Sequence, residues 1–234
     1  MPYPMSAIKE NLEKIRARIE AAALRAGRDS QSVKLIAVSK KIDSQLIEEA
    51  IACGQTLFGE NYMQEAKEKI NLLHTPAQWH FIGHIQSKKA KDAATLFDLV
   101  HTVDRVKLAT ALDKHAGLAG KTLSVLVQIN VSGETQKEGV AQENAEELLA
   151  AMGELPNLKV KGLMTMPPFM DNPEEVRPFF RTLRLLGEHF AAKGYFDRRD
   201  AFELSMGMSG DFEVAIEEGA TLVRVGTAIF GPRL

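Results

Sequence analysis

At 234 residues, with 29 basic against 31 acidic side chains and a formal net charge of −2, the chain has room for one large core and no excess charge of either sign. No lysine or arginine block exceeds a pair, so nothing asks for nucleic acid or an anionic membrane as a partner. A single cysteine, Cys53, excludes an intramolecular disulfide and a cysteine-based zinc site, and its helical setting reads as a structural thiol in a reducing compartment.

The first residues, MPYPMSAIKENLEKI, lack the basic segment followed by an apolar one that marks a secretory signal, and no apolar run approaches the roughly 18 residues of a membrane span. The expectation is a soluble, cytoplasmic protein. From Ser6 onward Ile8, Leu12, Ile15 and Ile19 recur at helical spacing up to Gly27, which predicts an opening helix. Short apolar runs then alternate with amphipathic ones. Eight runs read as strands, at 33–40, 56–60, 79–83, 99–103, 123–131, 160–165, 202–207 and 221–226. Helical segments fall between them, among them Gln45 to Cys53, Asn61 to Leu73, Arg105 to His115 and Glu174 to Ala192. Alternation of this kind implies right-handed βαβ units, and the count favours an α/β fold of the closed (β/α)8 (TIM) barrel type over an open sheet. No linker divides the chain, so residues 1–234 read as one domain.

Functional residues of such barrels gather at the carboxyl ends of the strands. The first strand ends on Lys40 and Lys41, and Lys40 shares its phase with Ile36 and Val38, so it is the better candidate to point inward. Such a lysine could form a Schiff base, act as a base or contact a phosphate, or simply end a strand in solvent. The seventh strand runs into LSMGMSGDFEVAI, a Gly/Ser-rich turn before a helix beginning near Asp211. Free backbone N–H groups there, with the hydroxyls of Ser205 and Ser209, would form an anion pocket. The eighth strand adds Gly226 and Thr227 at its end, and Arg224, in phase with Gly226, faces the interior in want of an acceptor. A ring nitrogen or a carboxylate elsewhere in the fold would serve.

Other motifs fail on context. AGKT at 119–122 precedes a strand instead of following one, and His115 stands where a phosphate-binding loop needs its first glycine. His80 and His84 lie in strand and turn rather than on one helix face, which argues against a metal pair, and His101 has no partner at a diagnostic spacing.

With Lys40, the Ser/Gly loop and Arg224-x-Gly226-Thr227 in these places, the chain resembles the pyridoxal phosphate homeostasis protein family. The resemblance extends through AVSK at 37–40, FGENYMQE at 58–65, WHFIGHIQSKK at 79–89, QINVSGETQKEG at 128–139, LSMGMSGDFEVAI at 204–216 and VRVGTAIFG at 223–231. It implies the barrel of the alanine racemase N-terminal domain, preceded by an extra N-terminal helix, and pyridoxal 5′-phosphate (PLP) held as a Schiff base on Lys40. It further implies that Met208, Ser209, Gly226 and Thr227 cradle the phosphate, that Arg224 faces the pyridine nitrogen, and that Asn61 lies near the ring. Two departures stand out. Lys41-Ile42-Asp43 stands where many members of the family have Thr-Lys-Pro, and Lys88 stands where asparagine is usual, adding charge near the mouth.

By the same resemblance the protein is a carrier without catalytic turnover that buffers PLP and supplies it to client enzymes, with effects on amino-acid and keto-acid metabolism. The alternative is a PLP-dependent amino-acid racemase. Alanine racemases add a second domain and a tyrosine base contributed across a dimer. Here the chain ends three residues after Gly231, which leads us to expect a monomer without that domain. Lys137, in the loop after the fifth strand, reads either as a solvated lysine or as a second acceptor for the cofactor or its phosphate.

Overall fold

The computed structural model describes residues 7–73, 76–134, 136, 138–198 and 201–232, and Lys137 and Ser6 lie outside the described residues. Helix α1 (Ala7–Arg25) comes first, then β1 (Lys34–Val38), α2 (Ser44–Ala52), β2 (Leu57–Glu60), α3 (Met63–Leu73), β3 (Gln78–Phe81), α4 (Ala90–Leu96), β4 (Leu99–Val103) and α5 (Val106–Leu118). The second half carries β5 (Leu123–Asn130), a two-residue β6 (Val140–Ala141), α6 (Ala145–Gly153), β7 (Leu158–Met164), α7 (Arg177–Lys193), β8 (Glu203–Ser205), α8 (Phe212–Glu217), β9 (Leu222–Val225) and α9 (Thr227–Phe230).

All pairings are parallel, and the chain β4-β3-β2-β1-β9-β8-β7-β5 closes through a further pairing of β4 with β5. The eight strands expected from the sequence are therefore the eight staves of a closed barrel. The small β6, which pairs only with the end of β5, was not foreseen, because two half-buried residues carry no periodicity.

Strand alternation sorts the core into two parts. Ile36, Leu57, Leu99, Leu126, Met164 and Leu222 form one buried cluster inside the barrel. Their neighbours in the strands, among them Ala37, Phe58, Val100, Val125, Leu163 and Val223, join the larger core between sheet and helices.

Helix α1 is more than an appendage. Among the described residues β9 is followed by the four-residue α9, and α1 packs against α2, α8 and α9. Its buried stripe of Ile8, Leu12, Ile15, Ile19, Ala22 and Ala23 supplies the apolar cover that a full-length last helix would give. Asn11 Nδ2 donates to the Ile229 carbonyl at 2.9 Å, and Arg18 forks onto Glu213 of α8 at 3.0 and 3.1 Å. The described helices include none long and apolar enough to cross a membrane.

Candidate active site

A cavity of about 280 Å³ opens at the carboxyl ends of the strands, lined by Lys40 after β1, Asn61 after β2, Ile82 after β3, and Arg224, Gly226 and Thr227 from β9 and α9. The loop between β8 and α8 brings Met208, Ser209, Gly210 and Asp211, and the loop after β7 brings Met166, Phe169 and Met170. Its size is at the low end for small-molecule sites, which run from roughly 300 Å³ upward. A larger, shallower hollow of about 600 Å³ lies outside the barrel wall, lined by Lys41, Asp43, Glu65, Lys69 and Phe230 among others. Lys40 thus faces one space and Lys41 the other, as strand phase predicts. Lys41 turns away through a left-handed backbone, φ 57°.

Arg224 is 4% exposed. Its Nη1 donates to Ser205 Oγ at 2.5 Å and its Nη2 to the Thr165 carbonyl at 2.9 Å, both neutral acceptors. Among the described residues no carboxylate pairs with it, so the salt bridge that would have made Arg224 a structural residue is not what holds it. Burial lowers its pKa to about 10, with the charge of Asp211 acting in the opposite sense. Behind Arg224, Ser205 Oγ meets His101 Nδ1 at 2.9 Å, and His101 Nε2 meets His80 Nδ1 at 2.9 Å. Both imidazoles are buried in the barrel interior, which favours their neutral forms: burial, with a smaller contribution from Lys34, depresses His80 to about 3, and burial with His80 and Arg224 holds His101 well below the usual value.

The loop after β8 depends on Gly207. Its φ is +90°, and a Cβ there would fall 2.6 Å from Ala215 Cβ and 2.9 Å from Phe212 Cα. That close approach lets α8 begin directly beneath the loop. Asp211 Oδ1 accepts the Met208 N–H at 2.6 Å, and burial raises the Asp211 pKa. Among the described residues no backbone carbonyl accepts the N–H groups of Ser209, Gly210 and Gly226, and that of Thr227 opens α9, where no intrahelical acceptor exists. Across the cavity Asn61 Oδ1 is buried without a hydrogen-bond partner among the described residues. Its main chain is pressed against Gly83, where a Cβ would meet the Asn61 carbonyl oxygen at 2.3 Å.

Of the residues singled out from the sequence, Lys40, Asn61, Met208, Ser209, Arg224, Gly226 and Thr227 converge on this cavity. Ser205 does not. It is fully buried below the cavity and holds Arg224, so the anion pocket expected to use its hydroxyl lacks it. The Met208 N–H is likewise spent on Asp211, which leaves Met208 as a lining side chain. Lys88 is exposed outside the lining residues, and its charge does not enter the cavity. His80, weighed from the sequence only as half of a metal pair with His84, and His101, read as without a diagnostic partner, belong to the site's support. The signal was present, since His101 shares its strand phase with inward Leu99. Among the described residues no cluster of His, Cys, Asp or Glu has metal-binding geometry.

The family model described as alanine racemase, N-terminal domain, matches residues 5–233. Curated relatives include the pyridoxal phosphate homeostasis proteins of Aquifex aeolicus, 44% identical over 96% of this chain and 97% of that one, and of Escherichia coli, 44% identical over 98% of each. Among solved structures, PipY of Synechococcus elongatus with PLP bound superposes at a TM-score of 0.81 with 35% identity, covering 96% of this chain and all of that one. Without PLP the TM-score is 0.85.

Proposed function

Since the chain belongs to the alanine racemase N-terminal-domain family, at the branch of the pyridoxal phosphate homeostasis proteins, we propose that it binds PLP on Lys40, keeps a reserve of it in the cytoplasm as a monomer and releases it to enzymes that require it. The observation that carries the reading is Arg224, a buried guanidinium that faces the same cavity as Lys40 and has only neutral protein acceptors.

The residues fit that cofactor. Among the described residues Asn61 Oδ1 is a buried acceptor without a partner, and the N–H groups of Ser209, Gly210 and Gly226, which no backbone carbonyl accepts there, make with the Ser209 and Thr227 hydroxyls a donor set suited to a phosphate. When bound, PLP supplies an aldehyde that condenses reversibly with amines. Lys40 would provide the amine. Arg224 would meet the ring nitrogen as a fixed cation and keep it unprotonated, which weakens the ring as an electron sink and disfavours carbanion chemistry. Besides Lys40 and the guanidinium, Asp211 is the one acid–base side chain among the described lining residues, and it is engaged with Met208. That supports a carrier over a racemase, which needs a second base. Phe169, 83% exposed at the lip, leaves the mouth open to an incoming amine from a client.

The test is the visible spectrum of wild type and Lys40→Ala after incubation with PLP and desalting, followed by borohydride reduction and peptide mapping. A yellow wild type labelled at Lys40, a mutant without the band, and no change in the chirality of any added amino acid are expected. A colourless wild type overturns the reading, and racemisation of any amino acid overturns the carrier in favour of the racemase.

A further inference from the structure

Lys40 stands between two residues that are held from behind by one buried ion network. Glu60, at the end of β2, is fully buried, and its Oε1 accepts from Ser39 Oγ at 2.7 Å and from Lys69 Nζ at 2.9 Å. Lys69, 6% exposed on α3, also donates to the Ser39 carbonyl at 2.6 Å and to Glu65 Oε1 at 2.6 Å. Glu65 Oε1 in turn accepts the backbone N–H of Lys41. The hydroxyl and carbonyl of Ser39 and the amide of Lys41 therefore all end on three charged side chains. None of the three lines the cavity that Lys40 enters, and Glu65 and Lys69 border the hollow on the other side of the turn.

Stability alone does not explain this arrangement. Buried ion pairs repay their desolvation poorly, and here Glu60 Oε2 has no partner among the described residues. Burial pushes the Glu60 carboxyl pKa up, opposed by Lys69 and Ser39. Lys41 is, among the described residues, the non-glycine residue with positive φ, a conformation that persists only where its surroundings over-determine it. An incompletely satisfied charged network and a strained backbone thus meet at the two residues flanking one lysine.

We propose that Glu60, Lys69 and Glu65 act as a positioning clamp for Lys40, fixing the backbone on both sides of it so that its amine is presented to the cavity in one orientation. The inference rests on the reading of Lys40 as the residue that captures PLP. Fixing a reacting amine in a productive geometry raises the rate and affinity of capture, and releasing the clamp lowers both. The three are positioning residues and touch no ligand.

The experiment compares wild type with Lys69→Met, Glu65→Ala and Glu65→Gln by amide hydrogen exchange of peptides covering residues 38–42 in the protein without PLP, and by stopped-flow absorbance after mixing with PLP. In Lys69→Met, exchange in that segment becomes about tenfold faster while β7 stays protected. Capture by Lys69→Met and Glu65→Ala slows by about fivefold or more, whereas Glu65→Gln, which keeps an acceptor for Lys41, stays within about twofold. Wild-type exchange and capture in both Lys69→Met and Glu65→Ala would overturn the clamp. Should Lys69→Met fail to fold, Glu65→Ala decides, because Glu65 is partly exposed. A wild type that takes up no PLP condemns the reading of Lys40, and the exchange comparison then still decides whether the network holds the turn.

Discussion

Arg224 Nη1 donates to Ser205 Oγ across 2.5 Å, and because a guanidinium can only donate, the Ser205 oxygen is the acceptor in this contact. The Ser205 proton is then free for His101 Nδ1, and with Ser205 as donor there His101 carries its own proton on Nε2 and donates to His80 Nδ1. Both imidazoles are neutral in that arrangement, the form that their burial favours.

The pH dependence of stability follows. A histidine near 6.5 in the unfolded chain and about 3 in the fold, as for His80, binds its proton first when unfolded, so stability is lost as pH falls from 6.5 towards 3. Each such histidine contributes about 1.4 kcal/mol per pH unit over that window. The buried carboxyls Glu60 and Asp211, with raised pKa values, act in the opposite sense, so the contribution is read as a difference between variants. Urea unfolding at pH 6.5 and 4.5 is expected to show a smaller loss in His80→Asn, whose amide oxygen still accepts from His101, than in wild type. Equal losses would mean that His80 is protonated in the fold.

Arg224→Met separates binding from stability. Lowering its pKa from 12.5 to about 10 corresponds to about 3 kcal/mol spent on keeping the buried charge. Removing it leaves the Thr165 carbonyl and Ser205 hydroxyl without that donor, a loss of about 1–3 kcal/mol. The ligand-free variant should unfold in urea at a midpoint no lower than wild type, while its apparent affinity for PLP falls by about tenfold or more. A sharp drop in ligand-free stability would instead make the guanidinium a structural strut.

What the sequence disclosed and what it hid divide along a physical line. The alternation of Ile36, Val38 and Lys40 made Lys40 the better candidate to point inward, because strand parity is local, and the family resemblance then decided between Lys40 and Lys41. Ser205 obeys the same parity, yet parity does not tell how far down the barrel a residue sits, and it lies a layer below the cavity. Lys69 was harder still. In MQEAKEKINLL it looks like half of a solvated Glu65–Lys69 pair, and only its place on the buried stripe of Met63, Ala66 and Leu73 hinted otherwise. Its partners Ser39 and Glu60 come from two other elements, a meeting that no spacing in one sequence encodes.

Glycines in the loop after β8 should respond very differently to a methyl group. Gly207→Ala adds an unfavourable positive φ to a contact of 2.6 Å with Ala215, and is expected to cost about 2–4 kcal/mol. At Gly210 nothing lies within 4 Å of the added carbon, so Gly210→Ala should stay within about 0.5 kcal/mol of wild type. Urea midpoints of the two variants check this. Similar values would show that the loop relaxes freely and does not fix the start of α8.

The place of α1 in the helix ring predicts that damage to it reaches the site. Leu12 is fully buried, and truncating such a side chain costs about 2–5 kcal/mol where the surroundings cannot collapse. Arg18→Ala, which breaks a partly exposed pair with Glu213, should cost no more than about 1 kcal/mol. Of the helices that α1 packs against, α8 and α9 start immediately after the loops that carry Ser209 and Gly226. Leu12→Ala should therefore raise amide exchange in α8 and α9 and weaken PLP retention, with β4 and β5 on the far side of the barrel unchanged. If the loss of stability were spread evenly over all strands, α1 would be cover for the barrel as a whole and not a support of the two loops.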